Sequence, residues 1–194
     1  AVINDCRAAV SFLRLNAERF NLDPARFGAA GESSGGHLAA LLATTSDTEE
    51  FLKHPVTKKA SPAIQAVSPW CGPTDFLKLN DVKASQDYSN PRSAPSRLVG
   101  KPIKQAPEKC KQANPITYVT KDDPPCFIVH GDRDFVVPLN QSELLHAALE
   151  EAGVPSTLHV VKGAGHGFSK ITPANEKVVE KVMDFFDSQF KTAI

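Results

Sequence analysis

Apolar residues follow two rhythms along this chain. Near its front, Cys6, Val10, Leu13, Ala17 and Phe20 recur at steps of three and four, the spacing of one helix face. Asp5 is a cap candidate near the start of that helix, and Asn21-Leu22-Asp23-Pro24 is its stop. Short apolar runs over Phe27 to Ala30, Ile64 to Trp70, Phe127 to His130 and Thr157 to Val161 read as strands. Further helices are expected over Gly36 to Thr45 and over Pro138 to Ala152, where Gly153 and Pro155 stop the second. A last helix opens at Pro173 with Thr172 as its cap, and turns Val178, Val179, Val182, Phe185 and Phe186 inward. Strands alternating with helices predict an α/β fold, with a mostly parallel sheet flanked by helices and chemistry on the loops at one end.

The middle of the chain differs in kind. Eleven of the fifteen prolines fall between Pro55 and Pro125. That density excludes long helices and central strands. Residues 75–123 therefore read as an irregular, Pro-rich insertion between the second and third strands of a single domain over 1–194. Over residues 92–111 within it, Arg92, Arg97, Lys101, Lys104, Lys109 and Lys111 have only Glu108 as a counter-charge. A solvated surface is the plain reading, and a positive rim favouring acidic or sugar-acid substrates the functional one.

Composition narrows the partners. With 22 basic and 22 acidic residues the formal net charge is zero, so neither nucleic acid nor a strongly charged partner is indicated. No run of eighteen apolar residues is present, hence no membrane-spanning helix is expected. No charged-then-apolar leader opens the chain, which begins at Ala1, so the compartment stays open. Cys6, Cys71, Cys110 and Cys126 match no zinc spacing. Cys6 and Cys126 read as core thiols, whereas Cys71 and Cys110 fall in loop-like regions and could pair if the protein is exported.

The chemistry gathers on three loops. Gly31-Glu32-Ser33-Ser34-Gly35 follows the first strand and runs straight into Gly36-His37-Leu38 of the next helix. A serine on such a strand-turn-helix junction has its hydroxyl exposed over the sheet end, which makes Ser33 a nucleophile candidate. Gly31 and Gly35 are expected to let strand and helix approach. A serine needs a base held by a carboxylate. Of six histidines, His166 stands out, flanked by glycines in Gly163-Ala164-Gly165-His166-Gly167 just after the fourth strand. His37 reads as packing or capping, His54 as part of a polar stretch, His146 and His159 as helix and strand positions, and His130 as shaping the acid loop. After the third strand come Asp132 and Asp134; Asp134 is the candidate acid and Asp132 the turn cap. The order Ser33, Asp134, His166 is that of the α/β-hydrolases.

These residues, with Gly72-Pro73-Thr74-Asp75, Asn114 to Val119, Pro124 to Pro138 and Gly163 to Phe168, make the chain resemble the α/β-hydrolase superfamily. Its likeness is to the esterase/lipase branch that includes acetylxylan- and feruloyl-type carbohydrate esterases. The resemblance implies a serine carboxylesterase acting on a small-molecule ester through an acyl-enzyme. Ser33 is then nucleophile, Asp134 acid and His166 base, with the Ser34 N–H in the oxyanion hole and no metal or organic cofactor. It also implies that residues 75–123 lie near the active-site mouth. Two other readings are a prolyl-oligopeptidase-like serine peptidase and a non-catalytic or truncated hydrolase half. The family has further strands ahead of the first helix and a His-Gly-Gly-Gly-type loop that supplies the second oxyanion donor; no such motif occurs here. The chain is therefore expected to be the C-terminal portion of the full fold. Its Phe27 to Ala30 edge would be open to an N-terminal segment or to a second copy.

Overall fold

Four parallel strands lie side by side in chain order, and each crossover between them carries helix. The structure, a computed structural model, describes residues 2–46, 48, 54–168 and 173–191. The strands are β1 (Gly28–Glu32), β2 (Ala66–Trp70), β3 (Cys126–Gly131) and β4 (Ser156–Val161). The long helices are α1 (Val2–Leu15), α2 (Ser34–Thr44), α5 (Asn140–Glu151) and α6 (Pro173–Phe190). Between β2 and β3 come two short helices, α3 (Ala94–Val99) and α4 (Pro107–Ala113), and three 3-10 turns.

Alternation along β3 shows how the sheet is sandwiched. Cys126 and Ile128 face one core with Ala39 to Ala43 of α2 and Leu145 and Leu149 of α5. Phe127 and Val129 face the other, with Val178, Val182 and Phe186 of α6. A third apolar cluster lies within the Pro-rich segment, where Phe76, Leu79, Tyr88, Val99, Ile103 and Cys110 pack on Val137. That segment thus builds its own small core from short pieces. Ser93 caps α3 through Ser96 N–H, and Gly100 closes it at φ 80°. Among the described residues β1 pairs with β2 alone. None of the described helices is long and apolar enough to cross a membrane.

Several expectations are corrected. Helix α1 ends at Leu15, and residues 16–21 are turns. The Asn16 side chain donates to the Phe12 carbonyl, a local bond that competes with helix continuation. Asp5 lies in the first turn of α1 and is not its cap. Proline density does not exclude a central strand, because Pro69 sits in β2, paired on both sides. Val67 N–H donates to Pro125 O and Cys71 N–H to Val129 O, so position 69 should donate to Phe127 O. Proline has no N–H, and the Ser68 hydroxyl donates to that carbonyl instead, at 2.8 Å. Cys110 is buried on α4, Cys71 is buried at the end of β2, and all four cysteines are free thiols. The Cys71–Cys110 pair that the sequence left open is not formed. Thr172 lies outside the described residues.

Candidate active site

The turn after β1 is tight enough that backbone meets backbone. A Cβ on Gly31 would lie 2.4 Å from Gly35 O, and one on Gly36 2.5 Å from Trp70 O. Gly35 itself faces open space, so the close approach depends on Gly31 and Gly36, not on Gly31 and Gly35. Ser33 sits at φ 56°, ψ −118°, a strained conformation for a residue with a side chain. Its N–H donates to Trp70 O at 2.8 Å and its carbonyl accepts from His37 N–H at 2.9 Å, which hold the turn on β2 and α2. Ser34 opens α2, where the first N–H groups have no partner within the helix.

His166 reaches Ser33 from the loop after β4. Its Nε2 lies 2.8 Å from Ser33 Oγ and its Nδ1 2.7 Å from Asp134 Oδ2. In the neutral ring Nδ1–H donates to the carboxylate and Nε2 accepts from the serine hydroxyl. Its short 3-10 turn, His166–Phe168, bends through Gly167 at φ 72° and ends on Phe168, which meets Trp70 edge-on at 5.5 Å. Asp134 is buried, and its Oδ1 accepts from Val136 N–H at 2.8 Å and Val137 N–H at 2.9 Å. Burial pushes the Asp134 carboxyl up. The imidazole of His130 close behind it, the hydrogen bond with His166 and that from Val137 N–H outweigh burial and hold it well below the usual carboxylate range. The hydrogen bond to Asp134 raises the His166 imidazole above its ordinary value, with Cys71 adding in the same direction and burial opposing.

Asp132 does not cap its own turn. It accepts from Gly163 N–H at 2.6 Å and so ties the acid loop to the histidine loop. A Cβ on Gly131 would lie 2.3 Å from Ala164 O, which requires glycine where these loops touch. Among the described residues, no other histidine side chain is hydrogen-bonded to the Ser33 hydroxyl. His37 is buried, 2.9 Å through Nδ1 from Pro73 O and stacked on Phe76. His146 bonds Ser156 Oγ, His159 stacks on Phe127, and His54 Nδ1 accepts from Val56 N–H. His130 is buried behind Asp134, bonded to Ser142 and Val137.

One neighbour has no signal in the sequence. Cys71, buried with φ 39°, has its sulfur within 4.8 Å of ligand atoms of Asp134 and His166. Among the described residues this is the one cluster of three groups suited to holding a metal ion. Its His166 and Asp134 atoms are already bonded to each other.

Beside Ser33 opens a cavity of ≈ 320 Å³, walled largely by apolar side chains such as Phe76, Leu79, Pro95, Leu98 and Val137. His37, Gln86 and Tyr88 are its polar side chains away from the turn. None of Arg92, Arg97, Lys101, Lys104, Lys109 and Lys111 lines it. Lys111 pairs with Glu108 on the surface, and Lys109 reaches Val99 O.

Known proteins share this arrangement of elements. The family model BD-FAE matches residues 1–149, and that of the Dienelactone hydrolase family residues 107–193. Esterase LipQ of Mycobacterium tuberculosis is 31% identical over 188 residues, covering 95% of this chain and 43% of its own. A truncated form of a carbohydrate esterase from gut microbiota superimposes with a TM-score of 0.82 at 33% identity, over 96% of this chain and 67% of that one. A bifunctional GH43-CE protein of Bacteroides eggerthii gives 0.85 at 32% identity, over 96% of this chain and 25% of its own. The chain thus spans less than half the length of LipQ.

Proposed function

The chain belongs to the BD-FAE family, on the α/β-hydrolase fold, and we propose that it hydrolyses carboxylic esters through an acyl-enzyme on Ser33. The observation that carries this reading is the placement of His166 between Ser33 Oγ and Asp134 Oδ2, at 2.8 Å and 2.7 Å. Ser33 Oγ attacks the ester carbonyl as its proton passes to His166 Nε2. The bond to the alcohol oxygen breaks as His166 returns that proton to it. Water then attacks the acyl group, giving its proton to His166, and the bond to Ser33 Oγ breaks as that oxygen is reprotonated. Asp134 keeps the Nδ1–H tautomer and stabilises the imidazolium. The Ser34 N–H serves as one oxyanion donor.

The apolar cavity supports an acyl or aryl group lodged against Phe76 and Leu79. Carbohydrate esters are the substrate group we favour, in keeping with the carbohydrate esterases among the similar structures. The reading is tested by Ser33→Ala with p-nitrophenyl acetate. Turnover is expected to vanish while the folded state persists; undiminished turnover would remove Ser33 from the mechanism.

A further inference from the structure

Behind the acid lies a histidine that the proposed reaction does not use. His130, in β3, is fully enclosed. Its Nε2 is 2.8 Å from the Val137 carbonyl. A carbonyl only accepts, so this nitrogen carries the proton and donates. Its Nδ1 is 2.6 Å from the buried hydroxyl of Ser142, in the first turn of α5, and in the neutral ring it accepts from that hydroxyl. The same Nε2 lies 3.4 Å from Asp134 Oδ2, the oxygen that His166 holds at 2.7 Å. At the longer distance His130 restrains Oδ2 without displacing His166 from it. Val137 closes the ring: its carbonyl accepts from His130, while its N–H donates to Asp134 Oδ1 at 2.9 Å. Both carboxylate oxygens are therefore governed by one imidazole, Oδ2 across space and Oδ1 through Val137.

We propose that His130 is the positioning residue of Asp134. Anchored on Ser142, it clamps the Asp134–Val137 turn against β3 and α5. It thereby fixes the carboxylate plane, a torsion that is otherwise broad, so that Oδ2 faces His166 Nδ1. An apolar side chain of similar size would fill the space but leave the carboxylate free to turn. The inference rests on the acyl-serine reading only for its effect on turnover, because the geometry it concerns exists without substrate.

The test is an NMR titration of His166 in the full chain, together with the far-downfield proton expected between His166 Nδ1 and Asp134. Asp134 and Cys71 are the titratable groups that act on His166, so each comparison is repeated with Cys71→Ala. In His130→Leu the His166 midpoint should fall by about one unit, a tenfold loss of imidazolium stabilisation, and the downfield proton should vanish. His130→Gln places an amide N–H near the Nε2 position and should restore both. Ser142→Ala should shift the midpoint less, in the same direction, and add nothing in the His130→Leu background. A folded His130→Leu or Ser142→Ala protein with a wild-type midpoint and proton overturns the proposal, as does a His130→Gln protein no better than His130→Leu. If His130→Leu does not fold, Ser142→Ala and His130→Gln decide. Ester turnover is measured on the same samples. Ser33-dependent turnover with unchanged spectra defeats the His130 proposal alone, whereas no Ser33-dependent turnover defeats the esterase reading and leaves the spectra to judge His130.

Discussion

Asp134 Oδ2 and His166 Nδ1 lie 2.7 Å apart, with the carboxylate buried and the imidazole partly open. A buried negative charge at that distance favours the imidazolium, so the His166 pKa is raised above the ordinary imidazole value. A general base must be neutral to accept a proton. The acid limb of kcat/KM is therefore expected to rise with pH around a midpoint above about 6.5. Asp134→Asn removes the charge that favours the imidazolium, so the midpoint should move down while kcat falls. The analogous change in another serine hydrolase costs about 10⁴-fold. A pH–rate profile of both proteins with an aryl ester checks the direction; an upward shift in the variant would contradict it.

The glycines of the nucleophile turn are not equivalent. Gly31→Ala and Gly36→Ala each press a Cβ into backbone oxygen at 2.4 Å and 2.5 Å, and backbone cannot swing aside. Each should destabilise the fold by about 1–3 kcal/mol or more. Gly35→Ala meets nothing within 4 Å and lies in α2, so its change should stay within about 0.5 kcal/mol. Urea unfolding of the three variants separates these outcomes.

The proline in the central strand gives a second stability test. Ser68→Ala leaves the Phe127 carbonyl without the hydroxyl that bonds it and should cost about 1–3 kcal/mol. Pro69→Ala returns a backbone N–H at that place in the ladder. In the Ser68→Ala background it should recover part of the loss, which denaturant midpoints of the double-mutant cycle will show.

Specificity should follow the cavity wall. Ala94 lines the ≈ 320 Å³ cavity and is itself exposed. Ala94→Trp should therefore fill space without disturbing the core. Hydrolysis of long-chain or bulky aryl acyl esters is expected to drop by about tenfold or more, the loss of roughly 1.4 kcal/mol of apolar contact, while p-nitrophenyl acetate changes little. A chain-length series measured for both proteins checks this.

These residues also show what could be read from the chain alone. All four strands stood out because each is a short apolar run bounded by turn residues, and the structure places them within two residues of the expected bounds. Ser33, Asp134 and His166 each follow a strand, and strands running in parallel bring such positions to one end of the sheet. The end of α1 was hidden because Ala17 and Phe20 keep the helical spacing through residues that form turns. His130 could be placed beside the acid loop from its position at the end of a strand, but its bonds to Ser142 and Val137, and the approach of Cys71, were hidden for another reason. Their contacts join different elements, and no local pattern records which side chain will face Asp134 across the loop.

If Ser33 carries the acyl group, covalent capture of its hydroxyl will show it. The chain is treated with a fluorophosphonate, digested and analysed by peptide mass spectrometry. One adduct is expected, on the peptide containing Gly31 to Gly35 and localised to Ser33, with its loss in His166→Ala. An unmodified Ser33, or an adduct on another residue that persists in Ser33→Ala, would contradict it.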